Sequence, residues 1–215
     1  MNTPSMYDLT VGSYLQIVRA TRAVLGRGRA HCEQQGLDPE TLTEARLAED
    51  MLPLRFQIQS VAHHSVGALA GLESGEFGPP RDLAALDYGG LEQLMDDTIA
   101  RLEGTDRARV DALVAGEVVF RLGSFELPFT AADFVLSFSL PNFHFHAATA
   151  YDLLRARGVP LGKRDFLGAL RTERDQDRVL EGMEGSLSQV GLTRRDVERA
   201  LGRLEESLRR GHRQE

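Results

Sequence analysis

The chain has 215 residues and a formal net charge of −7, with 42% hydrophobic and 27% charged residues. Such values are typical of one globular domain with an appendage, and they exclude a wholly disordered chain. No apolar run approaches the roughly 18 residues of a membrane helix, and the acidic balance argues against nucleic-acid binding. Cys32 is the only cysteine, which excludes an internal disulfide and a CxxC motif. Because no signal-peptide pattern is present, we expect a cytoplasmic protein.

Apolar residues at helical spacing predict four long helices. These are expected over residues 9–35, from Pro53 to about Leu72, from Leu86 to Leu102, and from Ala131 to Arg157. A short helix is expected after Asp38-Pro39, because Asp caps free N–H groups and Pro is tolerated in the first turn. Gly36 and Gly158 are natural helix ends, and Pro141 predicts a kink in the last long helix.

The remaining segments predict a hairpin, a loop and an extension. Val118 to Phe129 alternates in part and carries Gly123-Ser124 at its centre, which is typical of a β-hairpin. The stretch from Ser74 to Pro80 is predicted to be a loop. Residues 169–215 are charged, with two sparse apolar stripes, and predict an appended helical pair. The expected fold is therefore mainly α: a four-helix bundle over residues 1–168 and a helical extension over residues 169–215.

Three segments carry a resemblance to a known family. They are Tyr7-Asp8-Leu9, the stretch from Ala45 to Leu54 running into Gln57, and the stretch from Pro141-Asn142-Phe143-His144-Phe145-His146 to Gly158, which continues over Gly162-Lys163-Arg164-Asp165-Phe166 to Gly168. Across roughly residues 6–168 the chain resembles a domain-of-unknown-function (DUF) family of the DinB/YfiT-like superfamily. The resemblance implies an up-down-down-up four-helix bundle and a metalloprotein. A thiol-dependent transferase is a further possibility that rests on superfamily analogy alone.

The resemblance also implies a site for a metal ion. The usual DinB-like site has one His on the second long helix and a His-x-x-x-His pair on the last one. Counting back from Gly158, the positions of that pair fall on Asn142 and His146, so this sequence keeps one His and replaces the other by Asn.

Helical geometry at about 100° per residue gives an independent estimate of which side chains face inward. On the second long helix, Gln57 and His64 fall at the edge of the core, whereas His63 falls on the opposite, solvated face. On the fourth, His146 falls beside the inward stripe. The members of that stripe are Phe134, Phe138, Asn142, Phe145, Thr149 and Leu153. The candidate pocket lies between these two helices and contains Gln57, His64, Asn142 and His146, with Thr149 and Tyr151 nearby.

Two interpretations of the pocket stay open. His64 and His146 are candidate ligands for a divalent Zn, Ni or Fe ion or candidates for acid–base work, with Gln57, Asn142 and Thr149 contacting a cofactor or ligand. Alternatively, the two histidines are interior polar groups hydrogen-bonded across the bundle, and Asn142 satisfies backbone groups near Pro141. The first predicts a degenerate metal-dependent enzyme acting on a small molecule. The second predicts a non-catalytic binding or structural bundle without metal. No residue is assigned a catalytic role.

The apolar stripes of the extension predict an oligomer. One contains Leu180, Met183, Leu187 and Val190, and the other contains Val197, Leu201, Leu204 and Leu208. Short helices are marginal alone and need a packed face, and a second copy of the chain supplies one economically. We therefore expect a homodimer to which the extension contributes.

Overall fold

The computed structural model describes residues 4–81 and 83–171, and this part of the chain is mainly helical with one small β-sheet. The helical pair predicted over residues 169–215 lies outside the described residues, apart from its first positions. Within the described ranges, no helix has the length and apolar content that crossing a membrane requires.

The described helices and strands follow one another in a simple order. The helices are α1 (Met6–Leu9), α2 (Val11–Gln35), α3 (Leu54–Ala62), α4 (Ala68–Ser74), α5 (Tyr88–Glu103), α6 (Arg107–Ala112), α7 (Ala131–Asp133), α8 (Leu140–Ala156) and α9 (Lys163–Leu167). The strands are β1 (Glu76–Phe77), β2 (Glu117–Leu122) and β3 (Phe125–Thr130). Single 3₁₀ turns occupy Pro39–Leu42 and Leu113–Ala115. A π-helical turn, His63–Gly67, joins α3 to α4, and another, Phe134–Ser139, joins α7 to α8.

Local sequence accounts for most of the helix ends. The Asp87 carboxylate accepts from the amide of Gly90 at 2.7 Å and caps α5, and Asp38 caps the 3₁₀ turn that follows α2. Gly36 ends α2 with a φ of 69°, a left-handed conformation that glycine adopts without a steric penalty. Pro53 precedes α3, as predicted.

The direction of each long helix follows from contacts between helices. Between α2 and α5, Arg19 pairs with Glu103 at 2.6 Å, whereas Leu25, further along α2, accepts from the hydroxyl of Tyr88 at the start of α5. Residues later in α2 therefore contact residues earlier in α5, so the two helices are antiparallel.

The same argument sets the direction of α8. Gln57 of α3 contacts His146, whereas His64 contacts Ser139, so the second and fourth long helices are antiparallel. The α2 residue Tyr14 also bonds Ser139, and Gly28 lies near Leu154, so α2 and α8 are parallel. These directions give the predicted up-down-down-up bundle.

The sheet lies against one end of the bundle. The predicted hairpin is present as β2 and β3, whose two-residue turn contains Gly123 at a φ of 59°. The prediction of a loop over residues 74–80 is wrong in part, because Glu76–Phe77 pairs with β2 in parallel, Glu76 opposite Val119. This pair is two residues long and distant in sequence, so no local pattern indicated it.

The π-helical turn before Pro141 changes which residues of the fourth long helix face inward. The wheel placed Phe145 in the core and left Phe143 out of the stripe. In the structure Phe143 is fully buried and Phe145 is 58% exposed. A π turn bonds i to i+5 and so inserts an extra residue, which rotates everything after it relative to a uniform helix. The buried face consequently runs through Ser139, Phe143, Ala147, Ala150 and Leu154, and Thr149 and Leu153 of the predicted stripe are buried beside it.

Candidate functional site

A hydrogen bond across the bundle holds His146. Its Nδ1 lies 2.8 Å from Oε1 of Gln57, which projects from α3 and is buried. The amide of Gln57 is itself oriented, because its Nε2 donates to the carbonyl of Leu52 at 2.9 Å. Oε1 can only accept, so Nδ1 of His146 must carry the proton and donate. The Nε2 atom of His146 is therefore left with its lone pair.

His64 lies behind His146, deeper in the bundle. The two imidazole rings are 5.6 Å apart at their centroids and inclined by 21°. The His64 side chain is only 7% exposed, and its Nδ1 is buried without a hydrogen-bond partner among the described residues. A buried polar atom without a partner is costly, so this nitrogen is a candidate position for a hydrogen bond to a bound molecule.

Ser60 extends this polar face. It follows Gln57 by three residues and precedes His64 by four, so the three side chains lie along one side of the second long helix. Its Oγ is also buried without a partner within the described ranges. Ser60 was not among the predicted site residues, because a uniform wheel places it about 120° from the centre of the apolar stripe, yet it is buried in the structure.

Burial keeps both histidines uncharged. Burial, with smaller contributions from the adjacent His63 and His146, lowers the pKa of His64 to about 3. Burial also lowers the pKa of His146 to about 4, with a smaller contribution from His63. At neutral pH the pair therefore presents neutral imidazoles, which accept hydrogen bonds through their unprotonated nitrogens.

Aromatic rings flank the solvent side of His146. Phe56 lies edge-on at 5.8 Å from the imidazole centroid, and Phe145 does so at 5.4 Å. Because His146 is half-buried and Phe145 is exposed, this is the side from which a molecule would reach the pair. Phe56 was not among the predicted site residues.

Two predicted contacts are turned away from the pair. Nδ2 of Asn142 donates to the carbonyl of Phe138 at 2.8 Å, and the hydroxyl of Thr149 donates to the carbonyl of Phe145 at 2.7 Å. Both acceptors belong to the same long helix as their donors. Asn142 thus satisfies the backbone near Pro141, as the second interpretation of this residue predicted.

The residues present do not fit a resident metal ion. Among the described residues, no three His, Cys, Asp or Glu side chains come together as a metal site requires. Catalytic zinc sites use three protein ligands, whereas this pocket offers two imidazoles. Imidazole binds metal through a lone pair in the ring plane, and two nearly parallel rings are poorly oriented to share one ion.

His63 is less exposed than the helical wheel predicted. Its ring stacks on Phe77 at 4.6 Å and is half-buried, and its Nε2 lies 2.8 Å from the carbonyl of Gly78. The expectation of a solvated side chain is wrong because β1 and the segment after it cover this face of the helix. The wheel could not include that cover, since it depended on the non-local pairing of β1.

Comparisons with known proteins agree with the bundle. A crystal structure of a DinB family member protein from Shewanella denitrificans is similar over 79% of this chain and 95% of that chain, with a TM-score of 0.66 and 27% sequence identity. The fold is thus a DinB-like helical bundle. Residues 6–167 match the domain of unknown function DUF1993, and the chain belongs to this family. A search of curated proteins found no match.

Proposed function

We propose that this protein is a metal-independent binding protein whose site is the histidine pair between α3 and α8. The observation that carries the proposal is Nδ1 of His64, a buried ring nitrogen with no hydrogen-bond partner among the described residues. A bound molecule with a hydrogen-bonding group would satisfy it. Gln57 fixes the ring of His146, so that Nε2 is available as an acceptor for an O–H or N–H group of the same molecule.

The surroundings of the pair indicate the class of ligand. Neither imidazole is charged at neutral pH, so an anion gains no ion pair here. Phe77 and Phe138 contact the His64 ring, and Phe56 and Phe145 flank His146, so the walls are aromatic. Small, flat, uncharged molecules that donate a hydrogen bond match this combination.

The competing function is a metal-dependent enzyme, and one observation favours it. Ligating histidines typically donate their other N–H to an oxygen acceptor, as His146 does to Gln57. Against it stand the missing third ligand and the low pKa values. A general base is most effective when its pKa is near the working pH, and values of about 3 and 4 lie well below it.

Metal analysis separates the two functions. The full chain, purified without an affinity tag or chelator, is expected to contain far less than stoichiometric Zn, Ni or Fe, and excess Zn²⁺ is expected to leave its Tm unchanged. Metal near one equivalent that disappears in His146→Gln but persists in His144→Gln would establish the metalloprotein instead.

Ligand-observed NMR tests binding directly, with phenol as the probe and anisole as its matched control. Saturation transfer to phenol is expected for the wild type and for His144→Gln, and it should be lost in His146→Gln. Anisole has the same ring but no donor and should give a much weaker signal. Equal transfer to phenol and anisole, or transfer that survives His146→Gln, would refute binding at this pair.

A further inference from the structure

A cleft lies on another side of the second long helix, between its π-helical turn and α5. Its volume is about 630 Å³, and its lining includes His63, Val66, Gly67, Leu94, Asp97 and Arg101. Neither His64 nor His146 lines it. Volumes of this order accommodate small organic molecules, so this His63 cleft is large enough to be a site of its own.

An oriented acceptor lies on the wall formed by the π turn. Nε2 of His63 faces the carbonyl of Gly78 and must donate to it, so Nδ1 carries the lone pair. Nδ1 lies only 3.3 Å from where a Cβ at Gly67 would be, and Gly67 lines the same cleft. Stacking on Phe77 holds the ring in this orientation.

A positive charge lies at the far end of the cleft. The second long helix, which begins with α3, runs parallel to α5. This follows because α3 is antiparallel to α8, α8 is parallel to α2, and α2 is antiparallel to α5. The cleft is lined between Ala62 and Ala70 on the second long helix and between Leu94 and Arg101 on α5. In a parallel pair, His63, near the start of one wall, and Arg101, at the end of the other, therefore lie towards opposite ends of the cleft. Arg101 is seven residues beyond Leu94. At 1.5 Å per residue, this separation is about 10 Å along the helix axis.

Arg101 is available for an anion. Its guanidinium takes part in none of the ion pairs found among the described residues. The nearby carboxylate of Asp97 accepts instead from Nε2 of Gln93 at 2.8 Å. Val66 and Leu94 are half-buried and supply apolar surface between the two ends of the cleft.

We propose that the His63 cleft binds a small organic acid with an apolar body and a hydrogen-bond donor at the end remote from its carboxylate. The carboxylate pairs with Arg101, the body lies against Val66 and Leu94, and the donor bonds Nδ1 of His63. A charge-assisted bond to a guanidinium is about twice as strong as a neutral one, so Arg101 supplies most of the selectivity for an acid. This proposal is independent of binding at the pair His64 and His146.

Calorimetric titration with 3-(4-hydroxyphenyl)propionate tests this proposal, because the probe carries both groups on an apolar body of suitable length. We expect saturable binding to the full chain. Arg101→Gln is expected to weaken it by about tenfold, which corresponds to the loss of one charge-assisted bond. Arg157→Gln, an exposed arginine outside the cleft, should leave the affinity unchanged.

Two further variants separate this site from the histidine pair. The methyl ether of the probe lacks the O–H donor and should bind the wild type more weakly than the probe does. His63→Phe keeps an aromatic ring on Phe77 but removes the acceptor. It should therefore weaken binding of the probe, and the variant should bind the probe and its methyl ether equally. His146→Gln should bind the probe as the wild type does. The proposal is overturned if the wild type shows no saturable binding, if Arg101→Gln binds equally well, or if His146→Gln abolishes binding.

Discussion

Three imidazole rings, those of His63, His64 and His146, follow one another at centroid distances of 5.2 and 5.6 Å. Burial lowers the pKa of each of them. A proton added to any of these rings is held away from water, and a charge on His64 is also disfavoured by charge on His63 or His146. The cluster therefore makes folding sensitive to mild acid, whatever molecule binds to it.

The free energy of unfolding is expected to fall as the pH is lowered from about 6.5 towards 4. The unfolded histidines titrate near pH 6.5, whereas His64 and His146 remain neutral in the folded state down to about pH 3 and 4. The unfolded chain thus binds more protons, and stability is fully present only above the unfolded pKa. His64 alone contributes a slope of up to about 1.4 kcal/mol per pH unit, and the more exposed His146 contributes less.

Urea unfolding at pH 7 and pH 5 measures this slope, and His64→Gln should reduce it. The carboxylate of Asp8 does not interfere, because its hydrogen bond from Arg107 lowers its pKa to about 2 and its effect is confined to more acidic solution. Equal stability at the two pH values would contradict the proposed neutral histidine cluster.

At the scale of the elements, the close approach of α2 to α5 depends on one glycine. Gly28 lies against the hydroxyl of Tyr88, which donates to the carbonyl of Leu25 at 2.8 Å. A Cβ at Gly28 would stand 2.3 Å from that hydroxyl oxygen, closer than nonbonded atoms can come. The glycine is thus required by packing at a helical position where its backbone freedom is otherwise a disadvantage.

Gly28→Ala is expected to destabilise the protein by about 1–3 kcal/mol, because α5 must shift or the Tyr88 bond must break. Gly26→Ala is the matched control in the same helix, since its Cβ would meet only the end of Arg22 at 3.5 Å. That control should be neutral or stabilising by up to about 1 kcal/mol. Thermal unfolding of both variants and of Gly28→Ala with Tyr88→Phe checks the mechanism. If removing the hydroxyl restores no stability, the clash is not the cause.

The two π-helical turns are linked to each other and to α2. Ser139, at the end of one turn, donates to the carbonyl of His64, in the other, at 2.9 Å. Because this serine donates there, the buried hydroxyl of Tyr14 must donate to Ser139, at 2.8 Å. The irregular turns that position His63 and His64 are consequently held by a hydrogen-bonded chain across three helices.

At the scale of the whole molecule, the sequence beyond residue 171 carries the remaining prediction. Its two apolar stripes need a partner surface, and we expect a homodimer in which residues 169–215 contribute to the contact. Light scattering should give twice the monomer mass for the full chain and the monomer mass for a chain ending at Leu170. Two monomers of equal thermal stability would show that the extension neither dimerises nor packs on the bundle.

The sequence by itself determined the helices and the hairpin. Helical periodicity, the cap at Asp38 and the turn at Gly123 are local signals, and local signals act within a few residues. They placed all four long helices, and the family resemblance added the correct order of directions. The wheel also placed Gln57 and His64 at the edge of the core, where both are buried, because α3 is regular up to Ala62 and its apolar stripe is unambiguous.

Tertiary structure decided the rest, because the remaining features depend on contacts between distant residues. The pairing of β1 with β2 covers His63, and neither strand alone predicts it. The π turn before Pro141 rotates α8 and exchanges the positions of Phe143 and Phe145, which a wheel of uniform pitch cannot represent. The proton on His146 is fixed by Gln57, and the orientation of Gln57 is fixed in turn by the carbonyl of Leu52. Residue types alone indicate that an imidazole is present, but only its neighbours determine which nitrogen is free to bind.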